Sequence, residues 1–376
     1  MTEREALIAL NMLPGVGALR LEALLGRFSK PSAVLEASVD ELESVNGIGS
    51  ALADKIAEWK TLVPLGKELD LIEKGGVTVI TKLDPEYPAI LKEIYDPPIC
   101  LYVRGVLPDL NNASLAIVGS RRMTNYGRKC ACHFAQSAAY ADWTVVSGLA
   151  YGIDAAAHQA CLDASGRTVA VLGSGLARVQ PQDHLPLARA IIENGALVSE
   201  FPMEFSGNRQ SFPLRNRIIS GLSRAVLVVE AGLNSGALIT AESASEQNRE
   251  LFAVPGPIDQ PQSQGCNRLI KDSKAKLAES FDDILTEFEY LPGMKQPELF
   301  DEGSESGDDA LQAPSTQSLT PDESKIIDAL SNGRLSLDEI SAKTALPVGK
   351  LLSLLMKLEM ARSITQEPGK IFSIRG

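Results

Sequence analysis

The 376-residue chain lacks most of the short signatures that mark an enzyme or a cofactor site. It has no GxxxxGK[ST] loop, which removes the P-loop ATPase reading. None of its glycine loops completes GxGxxG with an acid on the next strand, so no dinucleotide cofactor is indicated and none of another kind is expected. The five cysteines include no Cys-x-x-Cys pair, and an odd, unpaired set suits a reducing cytosol. Cys130, Cys132 and His133 are close in sequence, but positions two apart on a helix face different sides and no second ligand pair follows, so no metal is expected. A signal peptide and a bilayer-length apolar run are both missing, and the expectation is a soluble cytoplasmic protein without membrane insertion.

A basic excess is missing too: the net charge is −12, poor credentials for a nucleic-acid binder. The charge is unevenly spread, however. Residues 1–114 carry 11 basic and 17 acidic side chains, residues 115–276 carry 16 and 13, and residues 277–376 carry 9 and 18. The middle of the chain is therefore positive, and local charge decides phosphate affinity.

The middle is also where the pattern is strongest. Leu115-Ala-Ile-Val118 runs into Gly119-Ser-Arg-Arg122, Thr144-Val-Val-Ser147 into Gly148-Leu-Ala-Tyr-Gly-Ile-Asp154, and Thr168-Val-Ala-Val-Leu172 into Gly173-Ser-Gly175. Ala225-Val-Leu-Val-Val229 runs into Glu230-Ala-Gly-Leu-Asn-Ser-Gly236 and the helical pattern 237–247. Four strand–glycine–helix repeats with continuous apolar strands predict an α/β, Rossmann-like, doubly wound and mostly parallel sheet, with its ligand site at the carboxyl ends of the strands. Asp154 is placed to cap the helix running through Cys161. Arg215 and Arg217 flank Asn216 in a segment read as a turn after Phe212-Pro213. Arginines beside a glycine loop and a helix N-terminus are what a polyanion requires.

These segments closely resemble the DprA/Smf family of bacterial DNA-processing proteins. The resemblance runs from about Val77 to Phe281 and includes IVGSRRMTNYG, VVSGLAYGIDAAAH, VLGSGL, LVSEFP, FPLRNRIISGLS, VVEAGLNSGALIT, FAVPGPI and GCNRLI. It implies single-stranded DNA as ligand, a homodimer formed through the α/β domain, and help in loading the RecA recombinase during natural transformation. The site residues expected are Ser120, Arg121 and Arg122 in the first loop, and Gly148, Gly173 and Gly175 in the next two. To these are added Arg209, Phe212 as a base-stacking ring, Arg215, Asn216 and Arg217, with Asn234, Ser235 and Gly236 at the helix start and Lys271 and Lys274 extending the surface. Arg215 and Arg217 are both expected at the DNA backbone, with the alternative that one of the two buttresses the loop through Glu200 or Glu230. The chain departs from the family at Gln180-Pro181, where Tyr-Pro is common, and at Asp272-Ser-Lys-Ala275.

The flanks read as separate domains: 1–72 helical, 73–288 α/β, 289–319 an acidic linker, 320–376 a winged helix. Leu13-Pro-Gly-Val-Gly17 and Val45-Asn-Gly-Ile-Gly49 look like two helix-hairpin-helix units, though Arg20, Lys55 and Lys60 compete there with Glu22, Asp54 and Glu58. At the C-terminus, Thr320-Pro-Asp-Glu323 starts a helix, Leu337–Lys343 and Val348–Glu359 give two more, and Ile364 to Ile374 offers a hairpin. Only Lys350, Lys357 and Arg362 are basic near the expected reading helix, so DNA and protein contacts both stay open. Two rivals to a DNA binder remain: a phosphoribohydrolase-like nucleotide enzyme, which lacks its Pro-Gly-Gly-x-Gly-Thr loop here, and an adaptor with weak DNA contact. Asp154 and His158, one helical turn apart, are the one pair suggesting acid–base chemistry, and no nucleophile accompanies them, so no catalysis is expected.

Overall fold

The computed structural model describes residues 1–288 except 112 and, further on, 321–330, 333–344, 364–367, 371–374 and positions 351, 354, 355 and 358. The expected linker, the Thr320 cap and Lys350, Lys357 and Arg362 lie outside the described residues. Two compact units are present, Met1–Leu299 and Phe300–Gly376.

The first unit is built on a nine-stranded sheet. Its strands are β1 (Val77–Thr81), β2 (Cys100–Gly105), β3 (Ser114–Val118), β4 (Thr144–Ser147), β5 (Thr168–Val171), β6 (Gly195–Ser199), β7 (Ala225–Val228), β8 (Glu250–Ala253) and β9 (Lys276–Leu277). The order is β1-β2-β6-β5-β4-β3-β7-β8-β9. From β6 to β9 every pairing is parallel, while β1 and β2 join antiparallel at one edge. Residues of β3 through β7 are buried on both faces, as their unbroken apolar character requires. Along β3, Leu115 and Ile117 point into the layer with the helices Asn125–Tyr140 and Ile153–Asp163. Ala116 and Val118 point to the other face, against Ser211–Gly221 and Ala237–Glu246.

From β3 the chain steps outward through β4, β5 and β6, then returns to lay β7 on the other side of β3 and continues to β8 and β9. The crossovers thus diverge between β3 and β7. A crevice is left open above their carboxyl ends, the place where such sheets take ligands.

Seven short helices precede β1. The two expected hairpins share one turn: Gly15 and Gly47 adopt φ of +103° and +86°, Val16 and Ile48 are buried, and Gly17 and Gly49 begin the following helices. Arg20 is exposed, and its Nη1 donates to the Gly15 carbonyl at 2.6 Å. This region shares one apolar core with the sheet, in which Leu7, Leu10 and Leu24 are continuous with Tyr102, Leu172 and Met203. Buried Glu68 locks the contact by accepting the Met203 amide at 2.8 Å, and burial raises its pKa.

The second unit holds the helices Pro321–Leu330 and Leu337–Thr344 and a three-stranded sheet in the order β10 (Leu335–Ser336), β12 (Ile371–Ile374), β11 (Ile364–Glu367). The expected hairpin is β11–β12, with Ile364 opposite Ile374; the short β10 gave no signal in the sequence. Ile326, Ile340, Leu355, Ile364 and Phe372 form its core.

Candidate nucleic-acid interface

The loops after β3 and β7 meet over the crevice because the topology places their strands side by side. The Ser120 amide donates to the Glu230 carbonyl at 2.7 Å. The buried Glu230 carboxylate accepts from the Thr124 amide at 2.9 Å and from the Thr124 hydroxyl, and Thr124 in turn caps the helix Asn125–Tyr140. The Ser120 hydroxyl accepts the Arg122 amide at 3.1 Å, tightening the turn. A third loop closes in at Gly152, whose φ is +81° and where a Cβ would stand 2.2 Å from the Ser120 carbonyl oxygen, so only glycine fits.

Between these loops is a cleft of about 460 Å³ lined by Ser120, Arg121, Arg122, Asp154, Phe212, Arg215, Asn216, Ser235, Gly236 and Thr240, among others. Arg121 and Arg122 are exposed, and neither forms an ion pair among the described residues. The Arg121 guanidinium lies over the Phe212 ring, 5.8 Å from its centroid. The first turn of the helix Ala237–Glu246 opens onto the same space, with Gly236 as its cap residue.

Arg215 and Arg217 do not share a role. The segment expected as a turn is the helix Ser211–Gly221, and residues two apart on a helix diverge by about 200°. Arg215 points to the cleft floor and is only 4% exposed. Its Nη1 donates to the Gly148 carbonyl at 2.6 Å and to the Val171 carbonyl, and its Nε to Asn216 Oδ1 at 3.2 Å. The carbonyls at the ends of two strands are thereby capped, and Nη2 alone is left for a ligand. Burial lowers the Arg215 pKa to about 10, against the opposing pull of Asp154, so it stays charged at neutral pH. Arg217 faces away, pairing with Glu200 and, at 3.5 Å, with Asp96.

Asp154 also departs from its expected role. It lies inside the helix Ile153–Asp163 and caps nothing there; its buried carboxylate reaches back to the amides of Gly148 at 3.1 Å and Ala150 at 3.4 Å. Burial raises its pKa, opposed by Arg215 and those amides. The Asp154–His158 pair does not meet. His158 is fully buried with Nδ1 2.7 Å from the Thr168 hydroxyl, and burial, then the Arg215 charge, lower its pKa from 6.5 to about 3. Neutral and enclosed, it lines no part of the cleft.

Several expected residues stand elsewhere. Gly173 lies under Phe212, and Gly175 packs against the backbone of Pro202 and Met203. Arg209 and Asn234 are exposed but line no part of the cleft. Lys271 and Lys274 follow from a helix direction overlooked in the sequence. The helix Gln264–Lys271 runs back between the parallel β8 and β9, so its C-terminal end belongs to the opposite edge of the sheet from the cleft. Lys271 borders a separate hollow with Ile258, Asn267 and Arg268. Conversely, Thr124 and Thr240 were missed, and Glu230, expected only as an alternative arginine partner, holds Thr124 instead; an acid ending an apolar strand was the available signal. Cys130 and Cys132 are half-buried, and among the described residues no group of three His, Cys, Asp or Glu side chains gathers. No helix among the described residues is long and apolar enough to cross a membrane.

Comparison with known proteins gives three matched regions. Residues 78–289 match the family described as DNA recombination-mediator protein A, 310–370 the DprA winged helix domain, and 7–58 the SAM-like helix-hairpin-helix tandem. Protein Smf of Synechocystis is 34% identical, covering 100% of this chain and 99% of its own. The crystal structure of DNA processing protein A from Streptococcus pneumoniae superposes with a TM-score of 0.67 at 34% identity, over 77% of this chain and 99% of that one. DNA processing protein A from Helicobacter pylori, studied for its single-stranded-DNA binding mode, gives 0.51 at 26% identity, over 56% and 94%.

Proposed function

Because the chain belongs to the DprA/Smf family of DNA-processing proteins, we propose that it binds single-stranded DNA in the cleft between the β3 and β7 loops. One observation carries the reading: Arg121 and Arg122 stand exposed, without acidic partners among the described residues, beside the free Nη2 of Arg215 and the start of the helix Ala237–Glu246. Four sources of N–H donors converging on one crevice suit a phosphodiester backbone. The charge of the cleft, not of the chain, sets the affinity, and the acidic remainder suppresses indiscriminate binding. Arg121 and Arg122 take adjacent phosphates, Arg215 reinforces one of them from below, and Asn216, Ser235 and Gly236 add neutral donors.

Assisted loading of RecA and a homodimer that presents two clefts to one strand belong to the same proposal and rest on the family resemblance. Two linked clefts raise affinity through effective concentration without new contacts. Fluorescence anisotropy with labelled oligo-dT across a salt series tests the core of the reading. Submicromolar affinity that falls with salt and collapses in Arg121→Ala supports it; strong binding indifferent to that change moves the DNA to the terminal regions. Sedimentation velocity tests the dimer, and RecA filament assembly on oligonucleotide tests the loading.

A further inference from the structure

Beside the cleft is a second hollow of about 200 Å³, walled by Tyr151, Gln180, Pro181 and Phe212 and sharing Arg121 and Arg215 with its neighbour. Its two aromatic rings are not equivalent. Phe212 is already engaged: its ring packs close to Gly173 and Gly207 and carries the Arg121 guanidinium. Tyr151 is 46% exposed, yet it is held from two sides. Its hydroxyl donates to Asp183 Oδ2 at 2.7 Å. The His184 ring meets it edge-on, with centroids 4.8 Å apart and planes at 67°, and His184 Nδ1 is fixed 2.9 Å from the Leu149 carbonyl.

The backbone beneath Tyr151 is equally determined. Leu149 and Gly152 take φ of +56° and +81°, a rare conformation for leucine, and the Asp154 carboxylate holds the amides of Gly148 and Ala150 on either side of Leu149. A large ring fixed in place but left in water has lost side-chain entropy without burying its apolar area. That arrangement is unfavourable in the free protein and favourable once a flat ligand covers the ring, since the ordering has already been done.

From this we infer that Tyr151 is the stacking platform for one nucleobase of the strand whose phosphate rests on Arg121. The inference deepens the proposed DNA reading and rests on it. Stacking tolerates any base, and the exposed Gln180 amide, with both a donor and an acceptor, suits any base edge. Asp183 and His184 are positioning residues that act through the tyrosine.

The test compares full-length wild type and Tyr151→Ala on two labelled oligonucleotides of equal length, oligo-dT and an abasic strand with the same phosphates. The alanine change is expected to weaken oligo-dT binding about 5- to 150-fold, the range for one base–aromatic stack, and to leave the abasic strand within about twofold. Asp183→Ala and Tyr151→Phe keep the ring but free it, and fall between. In wild type, 2-aminopurine in the strand is quenched on binding, and Tyr151→Ala abolishes the quench. If the alanine variant does not fold, Tyr151→Leu removes the π face while keeping apolar bulk. Unchanged oligo-dT affinity overturns the inference, as does an equal loss on both strands, which would trace the effect to the loop. Failure of wild type to bind either strand refutes the DNA reading itself, a different result from both.

Discussion

Replacing Arg215 and replacing Arg121 look like the same experiment in the sequence, and the structure separates them. In Arg215→Ala, the Gly148 and Val171 carbonyls lose their donor and the buried Asp154 carboxylate loses the cation facing it. Removing one partner from such a buried charged network costs about 3–5 kcal/mol. At ~2–4 °C per kcal/mol for a domain of this class, the melting temperature should fall by roughly 6–20 °C. Arg121 is exposed and forms no ion pair among the described residues, so Arg121→Ala forfeits its contact with Phe212, about 0.5–1 kcal/mol. Arg215→Lys keeps the charge but cannot serve two carbonyls with a planar fork, and should fall between. Thermal and urea unfolding read the stability, and anisotropy below the lowest transition reads the binding. Asp154 adds a pH signature. Its folded pKa is raised and rises further without Arg215, so the stability deficit of Arg215→Ala is smallest in acid, where only the lost carbonyl hydrogen bonds count, and grows as pH rises toward neutrality. An Arg215→Ala protein melting within about 2 °C of wild type, or one whose deficit grows on acidification, would refute the reasoning that this side chain holds the cleft floor together.

Other consequences can be measured alongside. Each single-strand phosphate contact contributes a salt slope of about −0.7, so Arg121→Ala and Arg122→Ala should each flatten log K against log salt by about 0.7 and their double variant by about 1.4; anisotropy at several salt concentrations checks this. His158 stays neutral in the fold with a pKa of about 3 against 6.5 when unfolded, so stability is complete above pH 6.5 and is lost as pH falls toward 3, by at most about 5 kcal/mol. Urea unfolding of His158→Gln between pH 7 and 4 should show a flatter acid dependence than wild type. Glu230→Ala frees the Thr124 amide and hydroxyl, and should loosen the arginine turn, lowering oligo-dT affinity without touching the ligand and reducing stability by about 1–3 kcal/mol.

The α/β architecture was legible because it follows from local pattern. Unbroken apolar runs such as Leu115–Val118 and Ala225–Val229 must be buried on both faces, and the glycine loops behind them must turn into helices. The loops carrying Arg121 and Ser235 were legible for the same reason, since the carboxyl ends of parallel strands lie on one edge. The hairpin turns of the N-terminal helices were marked by their glycines. Local pattern is silent on direction: whether 211–221 is a turn or a helix decides which way Arg215 and Arg217 face, and only the packed helix sends one to the cleft floor and the other to Glu200. It is equally silent on pairing across distance. Glu230 reaches Thr124, Arg215 reaches the ends of β4 and β5, and Tyr151 finds Asp183, each through strand order that no short window contains. What the sequence alone determined is thus the inventory of strands, loops and charges. Which of those charges are free for a ligand and which are consumed in holding the site was decided by the tertiary structure, because burial converts an unpaired polar group into a cost that only a specific partner removes.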